Sequence, residues 1–180
     1  MPTVVVTAFG PDRPGIVAAV TEVLVEHGAN LADTAMTKLA GQFAMVLVVE
    51  LPDDESSAPL EVALAGRTVD LGLTVAVRPL DPGEEGAVAP EGSAWSVSVY
   101  GADRPGIVHR VTSVLARHDA NVVDLTTRAI GTPDAPVYVM LLEVTLPPGT
   151  EPGALEGALA ALAADLGVEV HLRPDDADVL

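Results

Sequence analysis

The eight residues Gly10-Pro11-Asp12-Arg13-Pro14-Gly15-Ile16-Val17 recur as Gly101-Ala102-Asp103-Arg104-Pro105-Gly106-Ile107-Val108. A duplication of this kind constrains the architecture more than any local propensity does. The same offset of 91 aligns Val20 with Val111, Leu24 with Leu115, His27 with His118, Asn30 with Asn121 and Asp33 with Asp124. Further on the offset is 95, pairing Leu60 with Leu155, Asp70-Leu71-Gly72 with Asp165-Leu166-Gly167, and Arg78-Pro79 with Arg173-Pro174. The second copy therefore carries four extra residues, placed in the stretch Gly131 to Pro136. The 180 residues divide into a first domain over 1–79, a Gly-, Pro- and Glu-rich linker over 80–93, a second domain over 94–174 and an acidic tail over 175–180.

Each copy reads as the same series of elements. Val4, Val6 and Ala8, matched by Trp95, Val97 and Val99, alternate as on a half-buried strand. Pro14 and Pro105 suit the first turn of a helix, where a missing N–H costs nothing. Ile16, Val20, Leu24 and His27, with their counterparts in the second copy, then recur at helical spacing. Gly28 ends the first helix, and Asp119 stands in that place in the second. Two strands follow, meeting at Ala40-Gly41 in one copy and across the longer loop in the other. A second helix carries Leu60, Leu64 and Leu71, or Leu155, Leu159, Leu162 and Leu166, and a last strand closes each unit. The order βαββαβ is the ferredoxin-like α+β arrangement, an antiparallel sheet with two helices on one face, and two such units in one chain are expected to pack together.

The motif sits between the first strand and first helix, where backbone N–H groups lack partners and partial positive charge accumulates. A ligand carboxylate fits there without any basic side chain. Gly15 and Gly106 permit close approach to the backbone. Asp12 and Asp103 offer acceptors for an ammonium group, and the Asn30 and Asn121 amides can complete a polar site. Together these groups suit a free α-amino acid. The same residues also make ordinary helix-start chemistry, with Asp as cap and Pro in the first turn, and no ligand.

The pattern Gly-x-Asp-Arg-Pro-Gly-Ile-Val, then His-x-Ala-Asn, then Asp resembles the ACT domain family of small-molecule-sensing modules, in both halves. Tandem units without an enzyme resemble, within that family, the glycine-cleavage-system transcriptional repressor group. The resemblance implies amino-acid binding where ACT units pair, their sheets joining side by side. The ligand set it implies is Asp12, Arg13, Gly15, Ile16 and Asn30, with Asp103, Arg104, Gly106, Ile107 and Asn121. Some amino-acid-binding relatives have a polar residue where this chain has Gly10 and Gly101.

With 9 Lys+Arg against 26 Asp+Glu, a net charge of −17, a broad basic face for nucleic acid is not expected. At 49% hydrophobic residues the chain is too apolar for disorder, yet no run approaches a membrane span. No basic signal region opens the sequence, so a cytoplasmic protein is expected. Without cysteine there is no thiol nucleophile or thiolate metal site, and His27, His109, His118 and His171 show no metal spacing. No Gly-x-Ser-x-Gly or Walker loop occurs.

The leading expectation is a non-enzymatic regulator, without cofactor, that binds an amino acid and signals to a protein partner, as a possible homodimer. A ligand-free dimerisation module and a regulatory subunit of an amino-acid or one-carbon enzyme are the alternatives. With six residues after Arg173-Pro174, no catalytic domain is expected.

Overall fold

Burial alternates along the first strand: Val4, Val6 and Ala8 are buried, while Thr3, Val5 and Thr7 face the other way and are only partly covered. The computed structural model describes residues 1–80, 92–132 and 135–175. Most of the proposed linker, residues 133–134 of the inserted loop, and the tail beyond Asp175 lie outside them. The chain divides into two compact units, Met1–Ala87 and Val88–Leu180.

The first unit runs β1 (Thr3–Pro11), α1 (Ile16–Glu26), β2 (Asn30–Leu39), β3 (Gln42–Glu50), α2 (Ser57–Thr68) and β4 (Thr74–Pro79), with a single 3-10 turn at Val69–Leu71. The second runs β5 (Ser93–Gly101), α3 (Ile107–Arg117), β6 (Asn121–Thr132), β7 (Ala135–Leu146), α4 (Pro152–Leu166) and β8 (Val168–Pro174). Each sheet is antiparallel, in the orders β2-β3-β1-β4 and β6-β7-β5-β8, so both units are ferredoxin-like as the sequence pattern implies.

Helices cover one face of each sheet. In the first unit Ile16, Val20, Val23 and Leu24 from α1 and Leu60 and Leu64 from α2 close over Val4, Val6, Phe43, Met45, Leu47 and Val49. The second repeats this with Ile107, Val111, Val114 and Leu115 from α3 and the leucine stripe of α4 over Val97, Val99, Met140, Leu142 and Val144. Leu60 and Leu64 are fully buried, and each contributes about 1.5–3 kcal/mol relative to an exposed side chain. Thr68, the one buried polar residue among those described, is satisfied by donating its hydroxyl to the Leu64 carbonyl at 2.8 Å. Arg67, at the position of Leu162, points outward and pairs with Glu22 of α1.

Two local expectations need correcting. The prolines do not enter the first helical turn: Pro14 and Pro105 precede Gly15 and Gly106, which cap α1 and α3 at φ 93°. Nor does Asp12 or Asp103 cap a helix, because neither helix has a side-chain cap. His27 closes α1 partly buried, as its place at the end of the helical spacing implies, and its Nδ1 lies 3.7 Å from Glu55.

Edge strand β2 is exposed along all ten residues, and its outer backbone edge has no strand beside it within its sheet. Both edge strands bulge at equivalent points, Leu31/Asp33 and Val122/Asp124.

Candidate ligand-binding loops

The loop after β1 and the loop after β5 are shaped by a left-handed glycine. Gly15 and Gly106 hold φ 93°, a conformation that side chains resist, and a Cβ added at either would meet nothing within 4 Å. Backbone geometry therefore dictates these glycines, and open space stands above them. The helices begin with no side chain bonded to their first-turn N–H groups, which leaves donors and partial positive charge facing that space.

The arginines of the motif turn away from it. Arg13 donates from Nη1 to the Asp70 carbonyl at 3.3 Å, and Arg104 donates from Nη1 to the Leu166 carbonyl at 3.1 Å. Each guanidinium thus satisfies a carbonyl at the end of the second helix of its unit, where a cation is favoured. Ile16 and Ile107 are 2% and 1% exposed and belong to the cores. Gly10 and Gly101 are small because the chain leading into the last strand crowds them: a Cβ on Gly10 would lie 2.6 Å from the Gly72 carbonyl oxygen, and one on Gly101 would lie 2.7 Å from Val168 Cγ1.

Within a unit, the acid and the asparagine are not brought together. Pro11 pairs with Gln42 at one end of the sheet, whereas Asn30 pairs with Glu50 at the other, eight residues along β3, or about 26 Å. In the second unit Gly101 pairs with Tyr138 and Asn121 with Thr145, a separation of about 23 Å.

The two acids have different surroundings. Asp12 Oδ2 accepts an ion pair from Lys38 Nζ at 2.9 Å, and its backbone N–H donates to the Gly41 carbonyl at 2.9 Å, tying the loop to the β2–β3 hairpin. Register places Ala129 at the position of Lys38 and Tyr138 at that of Phe43. Asp103 accordingly has no cation among the described residues and acts instead on the Tyr138 phenol. That phenol is pushed above its ordinary value by burial first and by the Asp103 charge second, against the effect of a hydrogen bond with Thr127. The asparagines differ too. Asn30 donates from Nδ2 to Glu50 Oε2 at 2.9 Å, while Thr145 stands opposite Asn121, whose amide has no partner among the described residues.

Lys38, Glu50 and Tyr138 escape a reading based on shared residues. Their signal is the reverse one, positions where otherwise matched copies disagree in charge or hydroxyl.

Other features lie apart. A trough of about 580 Å³ on the helix-free face of the second sheet is lined by Ser96, Ser98, Tyr100, Asp124 and Arg128 among others, and no member of the Asp-Arg-Pro-Gly motif reaches it. Asp33 accepts from the Thr34 N–H at 2.7 Å. Among the described residues no group of His, Asp or Glu is placed to hold a metal, and no helix is long and apolar enough to cross a membrane.

A family model described as ACT domain matches residues 2–78 and 96–173. The chain is similar to a UPF0237 protein of Methanopyrus kandleri, 44% identical over 79 residues that span 43% of this chain and 88% of that protein. It is also similar to the glycine cleavage system transcriptional repressor of Escherichia coli, 27% identical over 172 residues, 92% of this chain and 86% of the repressor. Among solved structures, that of an unknown protein from Galdieria sulphuraria is 29% identical with a TM-score of 0.81, covering 97% of this chain and 98% of the other.

Proposed function

The chain belongs to the ACT domain family, in two tandem copies, and from that premise we propose that it is a non-enzymatic regulator that binds a free amino acid and relays its presence to a protein partner in the cytoplasm. Similarity to a transcriptional repressor over nearly the whole of both chains supports a regulatory role. The observation that carries the ligand class is the loop at Gly106: an uncapped helix start, open space above the backbone, and in the same loop the carboxylate of Asp103, which has no cation among the described residues. Helix N–H donors favour a carboxylate, and Asp103 favours an ammonium. An α-amino acid carries both on one carbon.

Because loop and asparagine lie at opposite ends of a unit, a ligand held at the loop does not also touch the asparagine of the same unit. With net charge −17, regulation would run through a protein partner rather than through direct grip on DNA.

Calorimetric titration of the full chain with each of the twenty amino acids at millimolar concentration tests the reading. A saturable heat with at least one supports it. Silence from all twenty refutes it.

A further inference from the structure

The duplicated loops have diverged at the groups that surround them. This inference rests on the amino-acid-binding reading above. In the first unit both polar residues proposed for ligand recognition are already partnered: Lys38 sits on Asp12 at 2.9 Å, and Glu50 accepts from Asn30 at 2.9 Å. In the second unit the equivalent partners are Ala129 and Thr145, and among the described residues neither Asp103 nor Asn121 has a cation or carboxylate in their place. The change from Lys38 to Ala129 bears on the loop carboxylate itself, whereas the change from Glu50 to Thr145 lies at the far end of the sheet.

We infer that the first loop is self-liganded, with the Lys38 ammonium occupying the place on Asp12 that a ligand ammonium would take, and that the second loop, at Asp103, is the one that receives the amino acid.

The chemistry favours this division. The Lys38 side chain is tethered to the same hairpin that the Asp12 N–H holds, so it competes as an intramolecular group and not as a dilute solute. A ligand ammonium arriving at Asp12 would meet a neutral ion pair and a like charge, and would lose a charge-assisted hydrogen bond. Loss of one such bond weakens binding about ten- to a hundredfold. At Asp103 no cation among the described residues has to be displaced. Tyr138, whose phenol feels the Asp103 charge, takes the register position that Phe43 holds in the first unit.

The test is calorimetry on the full chain with each of the twenty amino acids, in the wild type and in Asp103→Asn, Asp12→Asn and Lys38→Ala. One site per chain is expected, with the loss of affinity in D103N at least tenfold greater than in D12N. K38A should add a second, weaker site. Two equal sites in the wild type, or equal losses in the two Asp variants, would overturn the inference while leaving amino-acid binding intact. Absence of heat from every amino acid would instead overturn the functional reading, and this one with it. The latch has its own ligand-free readout. D12N and K38A should each lower the melting temperature of the first unit by a few degrees, and the double variant by no more than either alone. Fully additive losses would show that the two side chains do not work as a pair.

Discussion

Replacing Gly106 with alanine separates what the backbone requires at this loop from what a ligand requires. At φ 93° and ψ −2° the residue is in left-handed territory, where a Cβ costs about 1–2 kcal/mol. Alanine also restricts the unfolded chain, which returns about 0.4–1 kcal/mol. No steric charge is added, because the new methyl would meet no atom within 4 Å. The expected net loss is roughly 1 kcal/mol, and at about 4–8 °C per kcal/mol for a domain of this size the second unit should melt several degrees lower. Gly15, with the same φ and the same open space, should suffer the same loss in the first unit. The variants should part company on titration. The methyl at position 106 occupies space above the helix start that receives the ligand, so Gly106→Ala should weaken amino-acid binding strongly and Gly15→Ala much less. Thermal melts followed by circular dichroism give the first quantity and calorimetry the second. An unchanged melting temperature in both variants would refute the assignment of these glycines to the left-handed conformation. Equal and small effects on binding would refute the placement of the ligand over Gly106.

Other consequences follow from single positions. Asp119 holds φ 54° beyond the end of α3, where Gly28 serves the first unit, and its charge lies at the negative end of a helix. Asp119→Gly should therefore stabilise the second unit by about 0.5–1 kcal/mol in denaturant melts, and destabilisation would contradict this. Gly10→Asn should destabilise by about 1–3 kcal/mol because its Cβ would fall 2.6 Å from a backbone oxygen, whereas Gly66→Ala in α2, with nothing within 4 Å, should stabilise slightly in the same assay. The raised pKa of Tyr138 favours the neutral phenol in the folded chain, so the unfolded chain releases this proton first as pH rises. Its contribution is intact below about pH 10 and is lost as pH rises through the folded-state value. Urea midpoints measured across that alkaline range should fall less steeply in Tyr138→Phe, and an unchanged slope would contradict the account.

Much of the fold was legible because it is written twice. The alternation of Val4, Val6 and Ala8 and the spacing of Ile16, Val20 and Leu24 were each seen again in the second copy, and the structure places them in one core per unit. The helix starts were less legible. Pro and Asp before a helix read as first turn and cap, but the left-handed Gly15 separates them from α1 by a turn, a conformational choice that residue type alone does not specify. The candidate site was legible at its glycine and acid and misleading at its arginine, since Arg13 and Arg104 find their carbonyls 57 and 62 residues away. Asn30 looked near Asp12 along the helix return, yet strand order sets it at the far end of the sheet. Lys38 was hidden for a different reason: duplication draws attention to what the copies share, and among the described residues the ion pair is found in the first copy, Ala129 standing in the place of Lys38 in the second.

The central claim, that an amino acid docks on the start of α3, is tested most directly by following backbone amide resonances of the full chain during titration with the twenty amino acids. The account predicts saturable shifts centred on Gly106, Ile107, Val108 and His109, the N–H groups left without a side-chain cap, together with Asp103. Saturable shifts centred elsewhere, for instance on the helix-free face around Ser96 and Ser98, or no shifts with any amino acid, would contradict it.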